Sequence, residues 1–160
     1  MRVIFMDIDG VLVPGPFLRG VVACAGPSMR SAVDPYKVFL LNQLHDVPGV
    51  RIVFSSSWRS HSNMPAAVMS QGIEIPLHED WRTTFETPPR FGIGVRGWQI
   101  NEWMERHPEV EGYVIVDDNT DMLPHQAGHF LKTSYEEGLM PHHIKLMRSI
   151  LMSPIDKEQS

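Results

Sequence analysis

The chain contains little cysteine, no excess of basic residues and no long apolar run, and each shortage excludes a class of protein. Its 160 residues include one cysteine, Cys24, which rules out an internal disulfide and a thiolate zinc cluster. Acidic side chains outnumber basic ones, 19 to 14, and the formal net charge of −5 argues against a broad surface for nucleic acid. No stretch reaches the length of a membrane helix, and the N-terminal apolar run is too short for a signal peptide. We therefore predict a cytoplasmic protein without a membrane partner.

Two familiar kinds of ligand site are also missing. The sequence has no glycine-rich loop ending in Lys-Ser/Thr, which predicts that the chain does not bind ATP as a kinase does. His125 and His129 have helical spacing, but Pro124 and Gly128 disfavour a helix that would present both rings to zinc. We therefore expect structural or surface roles for the histidines.

Short apolar runs alternate with amphipathic stretches along the chain. The runs predict strands at residues 3–6, 51–54, 73–75, 113–116 and 128–132. Strands that alternate with helices at this spacing predict an α/β fold, a Rossmann-like three-layer sandwich with a mainly parallel five-stranded sheet. We predict a single domain over residues 1–155 and a frayed tail over 156–160.

Helices and two turn-rich segments separate these strands. Asp34 followed by Pro35 is typical of a helix N-cap with proline in the first turn. Further helices are predicted at residues 64–71, after Gly97 and from Pro141 onward. Residues 14–27 are rich in proline and glycine and predict a structured loop or flap, whereas residues 76–95 form a polar, aromatic insert.

The first strand ends in two carboxylates, Asp7 and Asp9, directly before Gly10. Alternation along a strand sends residues i and i+2 to the same side, so both acids can share one small volume. Open α/β sheets bind ligands at the carboxyl ends of their strands, which is where this pair is expected. The glycine then allows the backbone to turn sharply.

Other strand ends bring further polar groups to the same edge. Ser55 follows the second strand, and Asp117 and Asp118 end the fourth. Arg96 stands at the start of a helix and supplies a positive charge. Several acids at the ends of apolar strands cost desolvation and repulsion, so they are poor stabilisers and good candidates for function. Carboxylates, a hydroxyl and one cation together suit a phosphoryl group.

Each group has a physical task in phosphoryl transfer. Three clustered carboxylates need a divalent cation, and an oxygen-only ligand set suits Mg²⁺. One aspartate can then attack phosphorus, and a second can protonate the leaving oxygen and later deprotonate water. Ser55 can donate a hydrogen bond to a phosphoryl oxygen, while Arg96 neutralises charge on the equatorial oxygens.

These residues resemble, in order, the four motifs of the haloacid dehalogenase superfamily. The motifs are Asp7-Ile8-Asp9-Gly10-Val11-Leu12, the Ser55 strand end, Arg96 and Asp117-Asp118. The resemblance implies a phosphatase, because phosphatases of the superfamily carry aspartate at the second acidic position of the first motif. It covers most of the chain.

The resemblance also implies a role for each matching residue. Asp7 would be the nucleophile and Asp9 the general acid and base. Ser55 would bind phosphate, Asp117 or Asp118 would bind magnesium, and the Asp9 backbone carbonyl would be a further ligand. The aspartyl phosphate formed on Asp7 would then be hydrolysed by water.

Two assignments stay open at this point. The third motif is more often lysine, and Arg96 is preferred to Arg90 because it directly precedes a helix leading to the fourth motif. Three consecutive serines leave the second motif between Ser55 and Ser56, with Ser55 nearer the apolar strand. The Ser-Ser-Trp-Arg stretch, the Arg-Gly-x-x-Ile helix start and the Asp-Asp-Asn ending more narrowly resemble small phosphatase domains of nucleic acid repair proteins and phages.

The finer resemblance implies a nucleotide or a phosphorylated nucleic acid end as the substrate. Neither interval between the motifs leaves room for a cap domain of the kind that superfamily members often carry, so we expect minimal or no cap and an open site. Aromatic and arginine side chains near such a site can stack on bases and contact phosphates. The expected substrate contacts are Gly10, Ser56, Trp58, Arg59, Arg82 and Arg90.

Two other hypotheses remain at this stage. One is a phosphatase for small metabolites or phosphoproteins, which would gain nothing from a base or an oligonucleotide. The other is a non-catalytic binding module or a phospho-acceptor signalling domain. An intact Asp9 argues against the second, because neither kind of domain needs a general acid. The oligomeric state is not readable from the sequence.

Overall fold

A computed structural model describes residues 1–26, 32–86 and 95–155, and within them five strands form one sheet. The strand order is β3-β2-β1-β4-β5, and every pairing is parallel. The strands are β1 Arg2–Met6, β2 Val50–Phe54, β3 Leu77–Arg82, β4 Gly112–Asp117 and β5 Phe130–Lys132. The predicted α/β fold with a five-stranded sheet is confirmed, and the sheet is parallel throughout.

Helices connect the strands and cover both faces of the sheet. They are α1 Gly15–Ala25, α2 Pro35–Asn42, α3 Met64–Met69, α4 Val95–Arg106 and α5 Pro141–Met152. As expected from the sequence, Asp34 caps α2, with its Oδ1 accepting a hydrogen bond of 2.9 Å from the Tyr36 amide. No helix in the described ranges has both the length and the apolar character needed to cross a bilayer.

The buried apolar side chains form two hydrophobic cores, and alternating side chains of β1 contribute to each of them. Ile4 and Met6 face one core, Val3 and Phe5 face the other, and all four are fully buried. Burial of each such side chain contributes roughly 1.5–3 kcal/mol to folding. The central strand is thus held firmly on both faces, which sets the position of the acids that follow it.

Two predicted elements are wrong. Residues 14–27 were expected to form a loop or flap, whereas Gly15–Ala25 is an α-helix, because proline is compatible with its first turn. The strand expected at residues 73–75 is absent, and β3 begins at Leu77 inside the segment expected to be turn-rich. Ile73 and Ile75 are buried without joining the ladder, since alternating apolar residues report burial rather than backbone pairing.

Parts of the sequence-based description lie outside the described residues. Residues 87–94, which include Arg90, and the expected tail at 156–160 are among them. The assignment of residues 1–155 to one domain stays a prediction.

Candidate active site at the carboxyl edge of the sheet

Two adjacent strands bring their acids together at the carboxyl edge of the sheet. Met6 of β1 pairs with Val116 of β4, and the Asp7 amide donates a 3.0 Å hydrogen bond to the Val116 carbonyl. Asp7 and Asp117 are therefore neighbours, and both are buried. Oxygens of Asp7, Asp117 and Asp118 lie within 4.8 Å of one another. The structure brings these predicted acids into one cluster.

The end of β2 brings hydroxyl groups beside the first strand. The Ser55 amide donates a 3.0 Å hydrogen bond to the Met6 carbonyl, and Ser55 is fully buried. Its Oγ has no hydrogen-bond partner within the described part of the chain. The Ser56 Oγ instead accepts a 3.3 Å bond from the Trp58 amide and caps the short 3₁₀ helix Ser57–Ser60. Of the two serines, Ser55 is therefore the one whose hydroxyl has no partner among the described residues.

Arg96 inserts a positive charge among these groups from the start of α4. Its Nη1 lies 3.1 Å from Asp117 Oδ2 and 3.4 Å from Asp7 Oδ1. The same nitrogen donates a 2.6 Å hydrogen bond to the Ser55 carbonyl. Asp121 Oδ2 accepts a 3.1 Å bond from the Arg96 backbone amide, which fixes the start of the helix. One guanidinium group thus contacts residues at the carboxyl ends of three different strands.

Burial and mutual repulsion disfavour the charged form of several site acids. Burial and the nearby Asp7 carboxylate raise the pKa of Asp117 to about 7, although Arg96 acts in the opposite direction. Burial and the Asp7 charge also raise the pKa of Asp118. A cation bound among these carboxylates would lower both pKa values and so favour the charged form of both acids.

The donor set of this cluster suits a hard divalent cation. Asp7, Asp117 and Asp118 offer only oxygen, the ligand type that Mg²⁺ prefers. The Asp9 carboxylate is not a member of this group in the described residues. Its expected contribution through the backbone carbonyl stays a prediction.

Gly10 holds the turn that brings the first motif against Asp118. Its φ is +67°, and a Cβ at this position would collide with Asp118 Oδ2 and lie 2.5 Å from its Cγ. The Gly10 amide donates to the Val13 carbonyl at 3.0 Å, and the Gly10 carbonyl accepts from Thr133 Oγ1 at 2.6 Å. Both of its backbone polar groups are bonded within the chain. Gly10 is therefore a close-approach position, and its expected contact with substrate stays a prediction.

Trp58 lies against the second acid of the first motif. Its Nε1 donates a 2.8 Å hydrogen bond to Asp9 Oδ2. Burial raises the pKa of Asp9, whereas the bond from Trp58 acts to lower it. The sequence pointed to Trp58 as a substrate contact and did not reveal this bond, because the two residues are far apart in the chain.

Arg59 was expected to contact substrate, but its side chain is fully used inside the protein. The residue is buried, and its guanidinium donates hydrogen bonds of 2.6–3.3 Å. The acceptors are the carbonyls of Thr83, Ser55, Ser56 and Thr84 and the Gln99 Oε1. A guanidinium has five N–H groups, so no donor remains for a ligand. Arg59 ties the second motif to the chain after β3, and its expected contact with substrate stays a prediction.

Arg82 and Phe85 are exposed beside a cleft next to Arg96. Arg82 lies over the rings of Trp81 and Phe85, 5.0 and 5.5 Å from their centroids, and Phe85 is 47% exposed. The cleft has a volume of about 400 Å³. It is lined by Ser57, Arg59, Ser60, Phe85, Val95, Arg96, Gln99, Asn119 and Asp121. Arg82, one of the expected substrate contacts, is therefore exposed beside two aromatic rings.

A second cluster of metal-ligand residue types lies outside this site and was missed by the sequence analysis. Side-chain atoms of His78, His107 and Glu109 lie within 4.8 Å of one another. The His78 Nδ1 accepts a 2.9 Å bond from the Asp80 amide, which places the proton of the neutral ring on Nε2. His78 then has no nitrogen lone pair free to bind a metal ion. This disfavours the cluster as a metal site.

The family comparison agrees with the arrangement of the site. The model of the family described as the HAD domain in Swiss Army Knife RNA repair proteins matches residues 3–144. This span contains all four sequence motifs. No curated protein and no solved structure gives a significant match.

Proposed function

The chain belongs to the family of HAD domains in Swiss Army Knife RNA repair proteins, and from this premise we propose that it is a magnesium-dependent phosphomonoesterase. The observation that carries the proposal is the buried cluster at the sheet edge. Asp7 and Asp117 lie beside Arg96, and the Ser55 hydroxyl has no hydrogen-bond partner among the described residues. A phosphate group would satisfy both the cation and the hydroxyl.

In the first step, an Asp7 carboxylate oxygen attacks phosphorus and the bond to the leaving oxygen breaks. Asp9 gives its proton to that oxygen, so the alcohol departs neutral and an aspartyl phosphate remains on Asp7. Mg²⁺ held by Asp7, Asp117 and Asp118 would screen the negative charge of the incoming phosphate.

In the second step, the Asp9 carboxylate removes a proton from water as the water attacks phosphorus. The bond between phosphorus and the Asp7 oxygen breaks, which regenerates the Asp7 carboxylate and releases inorganic phosphate. Asp9 is protonated again and ready for the next cycle.

The other side chains stabilise charge on the transferring group. Ser55 Oγ donates to a phosphoryl oxygen, and Arg96 balances charge that develops on the equatorial oxygens. Arg96 is already fixed by the Ser55 carbonyl at 2.6 Å, so little reorganisation is needed during the reaction.

We further propose a nucleotide or a phosphorylated nucleic acid end as the substrate. The exposed Phe85 ring lines the cleft that Arg96 also lines, and Arg82 lies beside it. A base can stack on such a ring while its phosphate reaches the acids. The name of the matched family, which refers to RNA repair proteins, supports the same substrate class.

Phosphate release from a substrate panel tests both the phosphatase activity and the proposed substrate class. The panel contains mononucleotides, oligonucleotides phosphorylated at the 3′ or 5′ end, sugar phosphates and an aryl phosphate, each with magnesium and with chelator. Magnesium-dependent release that favours nucleotides or oligonucleotides supports both the activity and the substrate class. A preference for sugar phosphates keeps the mechanism and rejects the substrate class, whereas no release from any substrate favours a binding module.

Thermal unfolding in a magnesium titration tests the metal site without relying on activity. Magnesium should raise the melting temperature of the wild type, because a ligand at about 100 times its Kd adds about 2.7 kcal/mol to stability. Asp118→Asn should reduce this shift. Asp46→Asn is the matched control, since Asp46 is an exposed acid paired with Arg148. Equal shifts in both variants would contradict the proposed ligand set.

A further inference from the structure

The second acid of the first motif has a fixed donor. Trp58 Nε1 lies 2.8 Å from Asp9 Oδ2, and Trp58 is the one side chain within the described residues that donates a hydrogen bond to this carboxylate. An indole N–H is only a donor, so it always engages a carboxylate oxygen as an acceptor. Asp9 Oδ1 is therefore the oxygen left to carry a proton.

Trp58 is itself held in place through its backbone and through its ring. Its backbone amide donates to Ser56 Oγ at 3.3 Å, and its carbonyl accepts from the His61 amide at 3.0 Å. The ring packs, partly buried, against the larger hydrophobic core. Arg59 secures the same turn by donating to the carbonyls of Ser55 and Ser56 at 2.6 and 2.7 Å. A donor fixed in this way can set the orientation of the carboxylate that it binds.

We propose that Trp58 is a positioning residue for the general acid and base, because it holds Asp9 Oδ2 and so directs Oδ1 toward the reacting oxygens. This inference rests on the proposed phosphatase function. During the first step the Oδ1 proton moves to the leaving oxygen as the P–O bond breaks. During the second step the same oxygen takes a proton from the attacking water.

A misplaced general acid should affect alkyl and aryl phosphates to different extents. An alkyl leaving group is a poor one and needs its oxygen protonated as the bond breaks, whereas 4-nitrophenolate leaves without a proton. A misplaced Asp9 therefore slows the alkyl substrate more than the aryl one. General acid catalysis contributes roughly 10²–10⁴-fold to a rate, which is the upper bound of the effect.

The test compares kcat/KM of the wild type and Trp58→Phe for 4-nitrophenyl phosphate and an alkyl phosphate. Trp58→Phe keeps an aromatic ring but removes the N–H. We expect the ratio of aryl to alkyl kcat/KM to rise at least about tenfold, because kcat/KM reports the first step, in which only the alkyl leaving group needs the proton. Asp9→Asn should show a larger change in the same direction.

Trp103→Phe is the matched control. Trp103 Nε1 also donates a hydrogen bond, at 3.0 Å to the Asp80 carbonyl, but the ring belongs to the other hydrophobic core. Its loss should lower stability and leave the aryl to alkyl ratio unchanged. Equal losses on both substrates in Trp58→Phe, or no loss, would overturn the positioning role while leaving the phosphatase proposal intact. Absence of release by the wild type would overturn the phosphatase proposal itself, and the inference with it.

A spectroscopic measurement covers the case in which Trp58→Phe does not fold. The indole N–H resonance of Trp58 is followed by ¹H–¹⁵N NMR in the wild type and in Asp9→Ala. Loss of the carboxylate acceptor should move this resonance upfield and leave that of Trp103 unchanged. An unchanged Trp58 resonance would show that the bond is absent in solution and would overturn the inference.

Discussion

Arg96 Nη1 lies 3.1 Å from Asp117 Oδ2, so the most buried acid of the site has a fixed cation beside it. Asp117 is 1% exposed, and burial together with the Asp7 charge raises its pKa to about 7 despite Arg96. Arg96 therefore stabilises an arrangement of acids that would otherwise repel one another. The same contact places the guanidinium where a phosphate is proposed to bind.

Removal of Arg96 should destabilise the metal-free protein. We expect Arg96→Ala to lower the free energy of unfolding by about 3 kcal/mol, because a buried carboxylate loses its cation. Arg106→Ala is the control, since Arg106 belongs to the same helix but forms exposed ion pairs with Asp80 and Glu102. Its effect should stay within about 1 kcal/mol. Urea unfolding in the presence of chelator measures both, and similar losses would contradict the account.

Gly10 should not tolerate a side chain. Gly10→Ala requires a Cβ at φ +67° and in collision with Asp118, so we expect a loss on the order of 1–3 kcal/mol and weaker binding of magnesium. Gly20→Ala is the matched substitution, because Gly20 lies in α1 with nothing within 4 Å of the added Cβ. It should stabilise the protein by roughly 0.5–1 kcal/mol. Thermal melts with and without magnesium distinguish the two, and a harmless Gly10→Ala would refute the close approach.

Arg59 should not be replaceable by lysine. Lysine cannot reproduce the planar set of five donors, so Arg59→Lys should leave buried carbonyls unsatisfied and cost about 2 kcal/mol or more. Arg82→Lys, at an exposed position, should cost less than about 0.5 kcal/mol. Chemical denaturation of both variants provides the comparison. Unchanged stability in Arg59→Lys would contradict the structural role of these hydrogen bonds.

Acid should weaken the start of α5 through His143. Burial, His142 and Lys37 lower the pKa of His143, while Glu137 opposes them, and its Nδ1 accepts a 3.0 Å hydrogen bond from the Met140 amide. The unfolded chain therefore takes up this proton at a higher pH than the folded protein does. The stabilising contribution is present above the ordinary pKa of 6.5 and is lost as the pH falls below it.

His143→Gln separates this effect from those of the other histidines. Glutamine at this position can still accept the bond from the Met140 amide but does not titrate. The melting temperature of the variant should fall less than that of the wild type between pH 7 and pH 5. Parallel pH profiles would contradict the assignment.

The edge of the sheet where the acids meet was predictable from local patterns. Asp7 and Asp117 each follow an uninterrupted apolar run, and parallel strands place such positions at the same edge. Ser55 and Arg96 could be placed by the same logic. The strand order and the ring that binds Asp9 could not, because they depend on packing between distant segments.

The elements that were mispredicted show the limits of local patterns. Ile73 and Ile75 look like a strand because both are apolar, yet their burial arises without ladder pairing. From the sequence, Arg59 was assigned only a contact with substrate, and its burial becomes predictable only when the carbonyls around it are known. Tertiary hydrogen bonds, which no single-sequence pattern encodes, decide such residues.

Phosphate release by the wild type and Asp7→Asn is the most direct test of the central claim, the covalent role of Asp7. Both proteins are assayed with the best substrate of the panel in magnesium, after circular dichroism has established that the variant is folded. The account predicts magnesium-dependent release by the wild type and loss of turnover in Asp7→Asn, because an amide cannot serve as the nucleophile. Activity near the wild-type level in a folded Asp7→Asn would contradict it.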